Sequence, residues 1–309
     1  MDLITPRESR KSSSTPSYIA QRQRWGLYFV LPTVIFFAIF FLYPIVTGLY
    51  YSMTQFTLLK PPVFVGFGNF EALLKDRLFL KSITVTLGYV AGSTFPVWIL
   101  SLFAAVVFSQ KFPGREFLKV LFFAPVLPSL VVVAAVWLVL VNPNGVLTSV
   151  VRPFTGLAEI NWLNDPRLSP ITMILVHDWA ATPFYMLIWL AGLTGIPEDL
   201  RDAARVDGAN FLQTLFRVEL PLLRPTAVFV ASISMINAFQ AFTLQYTLSP
   251  GRGGPVDVNT TMGLLIWKYG FQYFRMGDAA AISVVLFAMI LIVTAFQLTF
   301  TRGDQYSIQ

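Results

Sequence analysis

The sequence predicts an all-α integral membrane protein with six transmembrane helices. Three observations carry that reading. Hydrophobic residues make up 55% of the 309 positions and charged residues only 12%, about half the charge of a soluble domain. The mean hydropathy is +0.65. Six stretches are long and apolar enough to cross a bilayer as helices, which takes about 20 residues each. Backbone groups in lipid need internal partners, and none of these stretches alternates as a barrel strand would, so helices are expected.

The first span is expected over 26–52. It follows a Ser-rich, basic lead over 1–25, expected to be disordered and cytoplasmic. The segment is too long for a signal h-region and lacks a small-residue cleavage site, so it is read as a retained span. An extracytoplasmic loop is expected over 53–81. A core with five more spans follows over 82–300: about Ser82–Phe108, Phe117–Val141, Pro170–Leu193, Leu223–Leu244 and Asp278–Phe300. Residues 301–309 form a short tail. Pro125 and Pro128 are expected to kink the third span. With both termini in the cytoplasm, thirteen of the twenty-two Lys and Arg residues fall on the inner side, in keeping with the positive-inside rule. The outer loops carry turn residues at Lys60-Pro61-Pro62, Asn142-Pro143-Asn144-Gly145 and Ser249–Pro255.

Composition also excludes classes of chemistry. Without cysteine there are no disulfides or zinc thiolates, and one histidine cannot build a multi-histidine metal site. The net charge of +6 reads as membrane orientation, with lipid as the surrounding partner and no nucleic acid. No phosphate loop of the Gly-x-x-x-x-Gly-Lys-Ser/Thr type occurs.

The inner loop over 196–221 is charged, rich in Ala and Leu, and has no proline between Pro197 and Pro221. Pro197 suits a helix start, and Glu198 and Asp199 complement the positive end of the helix dipole. Ala203 and Ala204 form a small face, and Gly208 permits a tight turn. The expected product is a compact two-helix knob on which another protein could dock.

The motif Asp202-Ala203-Ala204, Gly208, Val218, Leu220-Pro221 resembles the signature of the inner-membrane subunits of binding-protein-dependent ABC transporters. That signature is Glu-Ala-Ala, three residues, Gly, nine residues, Ile, one residue, Leu-Pro. Asp202 and Val218 are the two conservative departures. Phe64–Phe70, Trp179-Ala180-Ala181-Thr182-Pro183-Phe184, Gly253-Gly254-Pro255 and Gly277–Ser283 are similar to segments of the carbohydrate-type members, the maltose-type and glycerol-3-phosphate permeases among them. The resemblance implies a type I ABC importer permease fold with cytoplasmic coupling helices. It implies transport of a sugar or sugar-like solute, glycerol-3-phosphate being the alternative. It implies no catalysis and no cofactor in this chain, ATP and Mg being held by a separate ATPase subunit. The implied assembly is a second permease, two ATPase subunits and an extracytoplasmic solute-binding protein in a bacterial-type cell membrane.

The resemblance also implies site residues. Asp202, Ala203, Ala204, Asp207, Gly208, Leu220 and Pro221 would meet the ATPase. Against the maltose-type relative, the solute pocket would include His177, Ala180, Ala181, Ser234 and Ala238, with Asn237 adjacent. The alternative for these polar residues is hydrogen bonding between spans. Trp179 and Phe184 are the aromatic candidates for stacking on a sugar. Two other classes of function find little support in the sequence. An ion-coupled transporter would need buried charges and has only Asp178 to offer; an intramembrane enzyme has only the neighbouring His177 and Asp178.

Overall fold

The computed structural model describes residues 16–155, 159–249 and 251–302. Two units are distinguished, Met1–Tyr50 and Tyr51–Gln309. The first unit consists of α1 (Pro16–Phe37), a π-helical turn over Ala38–Leu42 and the start of α2 (Tyr43–Ser52). The π turn has a local cause. Pro44 has no N–H to give to the carbonyl four residues back, and the helix slips by one residue there, with Tyr43 N–H donating to Ala38 O. The first span runs over Tyr28–Ser52. Its helix begins upstream, at Pro16, so the expected disordered lead lies outside the described residues over 1–15 and is helical from Pro16.

The second unit opens with an antiparallel hairpin, β1 (Thr54–Thr57) and β2 (Lys60–Phe64), paired Thr54 to Phe64 and Thr57 to Lys60. The expected turn at Lys60-Pro61-Pro62 is displaced: Leu58 and Leu59 make the turn, and the prolines sit in exposed β2, where an edge strand tolerates missing N–H groups. Helix α3 (Gly68–Lys75) follows, and its Asn69 amide donates to the carbonyls of Ser52 (2.9 Å) and Thr54 (2.8 Å). Gly277 lies against the hairpin; a Cβ there would collide with the Thr54 carbonyl.

Asp76 caps α4 (Arg77–Ser109), accepting from Leu78 N at 2.7 Å. Helix α4 packs along α8 (Leu168–Thr194) and also meets α12 (Arg224–Phe239). Lipid supplies no hydrophobic drive between spans, so close packing of small residues has to hold them. Helix α4 buries Ser82, Thr86, Ser93 and Ser101. The first three hydroxyls return to carbonyls of their own helix at 2.7 Å, which lets neighbours approach without orphaned polar atoms. Gly92 admits Ile174 of α8 so closely that a Cβ would stand 2.5 Å from Ile174 Cδ1.

The third span is broken rather than gently kinked. Helix α5 (Arg115–Phe123), a 3₁₀ turn over Ala124–Val126 and α6 (Leu130–Leu140) enclose a bend of 95° at the expected proline region. A turn at Asn142–Gly145 leads into α7 (Val146–Thr155). After α8 come α9 (Glu198–Val206), α10 (Phe211–Thr214), a π turn over Leu215–Glu219 and α11 (Leu220–Leu222). The fifth span is also interrupted: α12 ends at Phe239 and α13 (Thr243–Leu248) resumes after Gln240–Phe242. Helix α14 (Met262–Trp267), a further π turn and α15 (Met276–Arg302) complete the chain. The tail over 303–309 lies outside the described residues.

Candidate functional site

The knob between α8 and α12 is built from helix-capping chemistry. Helix α9 ends on Gly208, whose φ of +80° is left-handed. Ala209 N–H reaches back to Ala204 O at 2.9 Å and Gly208 N–H to Arg205 O at 3.0 Å, the bond pair of a Schellman ending. Helix α10 opens with a reciprocal cap: Gln213 N–H donates to the Asn210 side chain, and Asn210 N–H to the Gln213 side chain, both at 2.9 Å. Pro197 stands one residue before α9 rather than in its first turn.

Of the coupling candidates, Asp202, Ala203, Asp207, Gly208 and Pro221 are exposed, Leu220 is half-buried and Ala204 is buried. The small face is therefore split: Ala204 faces inward and Ala203 outward. Sequence reasoning missed the apolar surface around them. Val206 is 87% exposed and Phe216 63%, with Phe211 and Leu212 beside them in the chain and also exposed.

Arg201 fastens the knob to the spans. Its Nε meets Glu219 Oε1 at 2.6 Å, and its Nη2 donates to Leu193 O, in the last turn of α8, at 2.7 Å. Leu220 packs with Leu193, Ile196 and Leu223 in one buried cluster. Gly192 lets α8 and α12 cross closely, since a Cβ there would lie 2.7 Å from Thr226 Oγ1 and 2.8 Å from Leu223 Cδ2.

A cavity of about 370 Å³ opens beside the break in the fifth span. Helix α8 supplies His177, Ala180, Ala181 and Phe184, an i, i+3, i+4, i+7 stripe on one face. The other wall comes from Asn237 and from Gln240 to Gln245. His177 stands edge-on to Tyr89 of α4, with ring centroids 5.6 Å apart. Asn237 Nδ2 donates to Tyr185 Oη at 3.1 Å. The break frees backbone groups. Thr261 Oγ1 takes up the Ala241 carbonyl at 2.7 Å, while a Cβ on Gly263 would crowd that same oxygen. Irregular backbone at such depth is tolerated where it is enclosed by protein or lines a cavity.

Four of the six pocket candidates, His177, Ala180, Ala181 and Asn237, thus line one cavity, the first three from α8 and Asn237 from α12. The other two do not line the cavity. Ser234 is buried and accepts from Trp98 Nε1 at 2.6 Å, the inter-span bond that was the alternative reading. Ala238 is fully buried in the core with Phe239 and Met262. Phe184 lines the cavity, whereas Trp179 lines an apolar groove elsewhere and packs edge-on to Trp137 at 5.6 Å. His177 and Asp178 are adjacent on a helix and face different cavities, so they form no dyad. Tyr89, Tyr185 and Gln245 were not anticipated, and the interrupted apolar run at Asn237, Gln240 and Gln245 is the signal that could have found the last.

Residues 98–303 match the family described as binding-protein-dependent transport system inner membrane component. The chain is 33% identical over 273 residues to the probable ABC transporter permease protein YesP of Bacillus subtilis, covering 87% of each. It is 29% identical to the trehalose/maltose transport system permease protein MalF of Thermococcus litoralis, covering 90% of this chain and 93% of that one. The fold matches a chain in the crystal structure of a bacterial alginate ABC transporter in complex with an alginate pentasaccharide-bound periplasmic protein. That match has a TM-score of 0.81 at 23% identity over 93% of this chain and 97% of the other.

Proposed function

The chain belongs to the family of binding-protein-dependent transport system inner membrane components, and from that premise we propose how it works as a sugar-type ABC importer permease. It pairs with a second permease, two ATPase subunits and an extracytoplasmic solute-binding protein. Both termini lie in the cytoplasm. ATP and Mg are held by the ATPase, and this chain carries no cofactor and performs no hydrolysis. Sugar-class transport is supported by the relative named for trehalose and maltose.

The observation that carries the mechanism is the Arg201 clamp. It ties the knob at once to the end of α8 and to Glu219, just ahead of α12. Those two helices carry His177, Ala180, Ala181 and Asn237 at the cavity. An ATPase pair that closes on ATP and grips the exposed face of the knob would therefore move both cavity walls together. Asp202, Ala203, Asp207 and Gly208 with the exposed Val206 and Phe216 supply the docking face. Buried Ala204 and half-buried Leu220 hold it on the spans, and exposed Pro221 adds to the docking face. Alternating access follows: the cavity opens outward with the ATPase closed and inward after hydrolysis.

The cavity presents no Lys or Arg among its described lining residues. A phosphate or carboxylate buried there would lack a counter-charge on this chain, at a cost of several kcal/mol. An uncharged polyhydroxylated solute is therefore favoured over glycerol-3-phosphate. Amides, two phenols and an imidazole give reversible hydrogen bonds that a solute can leave.

The test is uptake into proteoliposomes holding the complete complex. His177→Ala and Asn237→Ala should raise KM or change solute preference with assembly intact. Ser234→Ala should affect thermal stability, through the lost Trp98 bond, with KM unchanged. Loss of stability alone in the first two variants, with normal transport in the surviving complex, would move the solute site to the partner permease. A functional complex with two copies of this chain and no second permease would overturn the assembly.

A further inference from the structure

Gln245 lies in α13, just past the break, and is 1% exposed. Neither its amide nitrogen nor its amide oxygen makes a hydrogen bond of good geometry among the described residues, and the Tyr89 phenol is a polar group close enough to interact with it. A buried amide without a well-formed hydrogen bond at either end is costly, and at a position that needed only bulk, Leu or Met would pack without that cost.

Its place in the fold indicates what would partner it. Gln245 and Tyr89 line the 370 Å³ cavity, and both also line a second one of about 240 Å³ together with Val258, Asn259 and Thr261. The two side chains form the wall the cavities share. We propose that Gln245 is a solute-contacting, specificity-determining residue: its amide N–H and C=O take a hydroxyl of the solute as the solute passes this wall, Tyr89 forming the other side. A hydroxyl donates and accepts, matching the donor and acceptor ends of the amide. A ligand with acceptors only would satisfy one end. The inference rests on the reading of the larger cavity as the solute site.

The experiment uses the reconstituted complex with its binding protein. The probe is whichever of maltose, trehalose and raffinose gives the strongest ATPase stimulation. Gln245→Leu should raise KM for that probe about tenfold, with kcat within about twofold and thermal stability equal to or above wild type. Among deoxy analogues of the probe, one should be penalised in wild type and not in Gln245→Leu. The chain has no native cysteine, so Gln245→Cys gives a single labelling site on this chain, read on its own band, whose reaction with a methanethiosulfonate should be slowed by the probe, while Trp179→Cys is unaffected. Unchanged KM in Gln245→Leu, or equal labelling with and without probe, overturns the proposal. If His177→Ala and Asn237→Ala raise KM and Gln245→Leu does not, the cavity reading stands and only the role of Gln245 falls. If none of the three changes KM, the cavity reading itself has failed. Should Gln245→Leu not assemble, Gln245→Asn keeps the amide but withdraws it by one methylene, and an unchanged KM there is equally fatal.

Discussion

Replacing Gly208 separates backbone conformation from bulk in the docking knob. Its φ is +80°, and a Cβ added there would meet nothing within 4 Å. Gly208→Ala therefore introduces no clash, only the cost of an L-residue in the left-handed region, about 1–2 kcal/mol. That energy acts on the turn held by Ala209 N–H to Ala204 O and Gly208 N–H to Arg205 O. It corresponds to roughly a fivefold to thirtyfold rise in the open population of the turn. Amide hydrogen exchange on the purified complex reads the change directly: the Ala209 N–H should exchange faster by that factor, with amides in α4 unchanged. Gly208→Asn should lie between wild type and Gly208→Ala, because Asn tolerates the left-handed region better. Solute-coupled ATPase activity should fall in the same order, with membrane insertion intact. If Ala and Asn variants exchange and couple alike, and both like wild type, the left-handed residue does not hold the knob and the docking argument fails with it.

Arg201→Met should leave the Glu219 carboxylate, 12% exposed, without its partner, at a cost of about 1–3 kcal/mol; adding Glu219→Gln should recover much of it, as read by thermal unfolding and coupled ATPase activity. Lys268, buried against Asp257 (2.9 Å), the Arg252 carbonyl (3.1 Å) and Thr260 Oγ1 (3.4 Å), fastens the Gly-rich loop, so Lys268→Met should speed tryptic cleavage after Arg252 while the spans stay protected. Burial, and secondarily its hydrogen bond to Asp76, raises the Tyr269 phenol above its usual range. An acid whose pKa is raised on folding contributes its full stability below its unfolded value near 10 and loses it as pH climbs further. Alkaline unfolding of the complex should therefore begin near pH 10, and Tyr269→Phe should flatten that slope; an unchanged slope would assign the transition to other groups.

The sequence by itself determined the membrane class, the six apolar segments, the place of the break in the third span and the turn at Gly208. Each rests on local information: the apolar length a bilayer requires, the N–H that proline lacks, the φ that glycine permits. The family motif was legible for the same reason, because its residues are confined to one short loop. Which polar side chains face a cavity was decided by the tertiary structure. Ser234 and Asn237 lie one turn apart on α12, yet Ser234 is consumed by Trp98 while Asn237 lines the cavity with Tyr185. The rotation of α12 against α4 and α8 sets that difference, and the close approaches at Gly92 and Gly192 fix how nearly those helices meet. The Pro61-Pro62 strand and the Arg201 clamp were likewise decided across sequence distance, by partners at Thr54, Leu193 and Glu219. Local pattern reports how much of a segment leaves water; only packing decides which of its polar atoms are left to meet a solute.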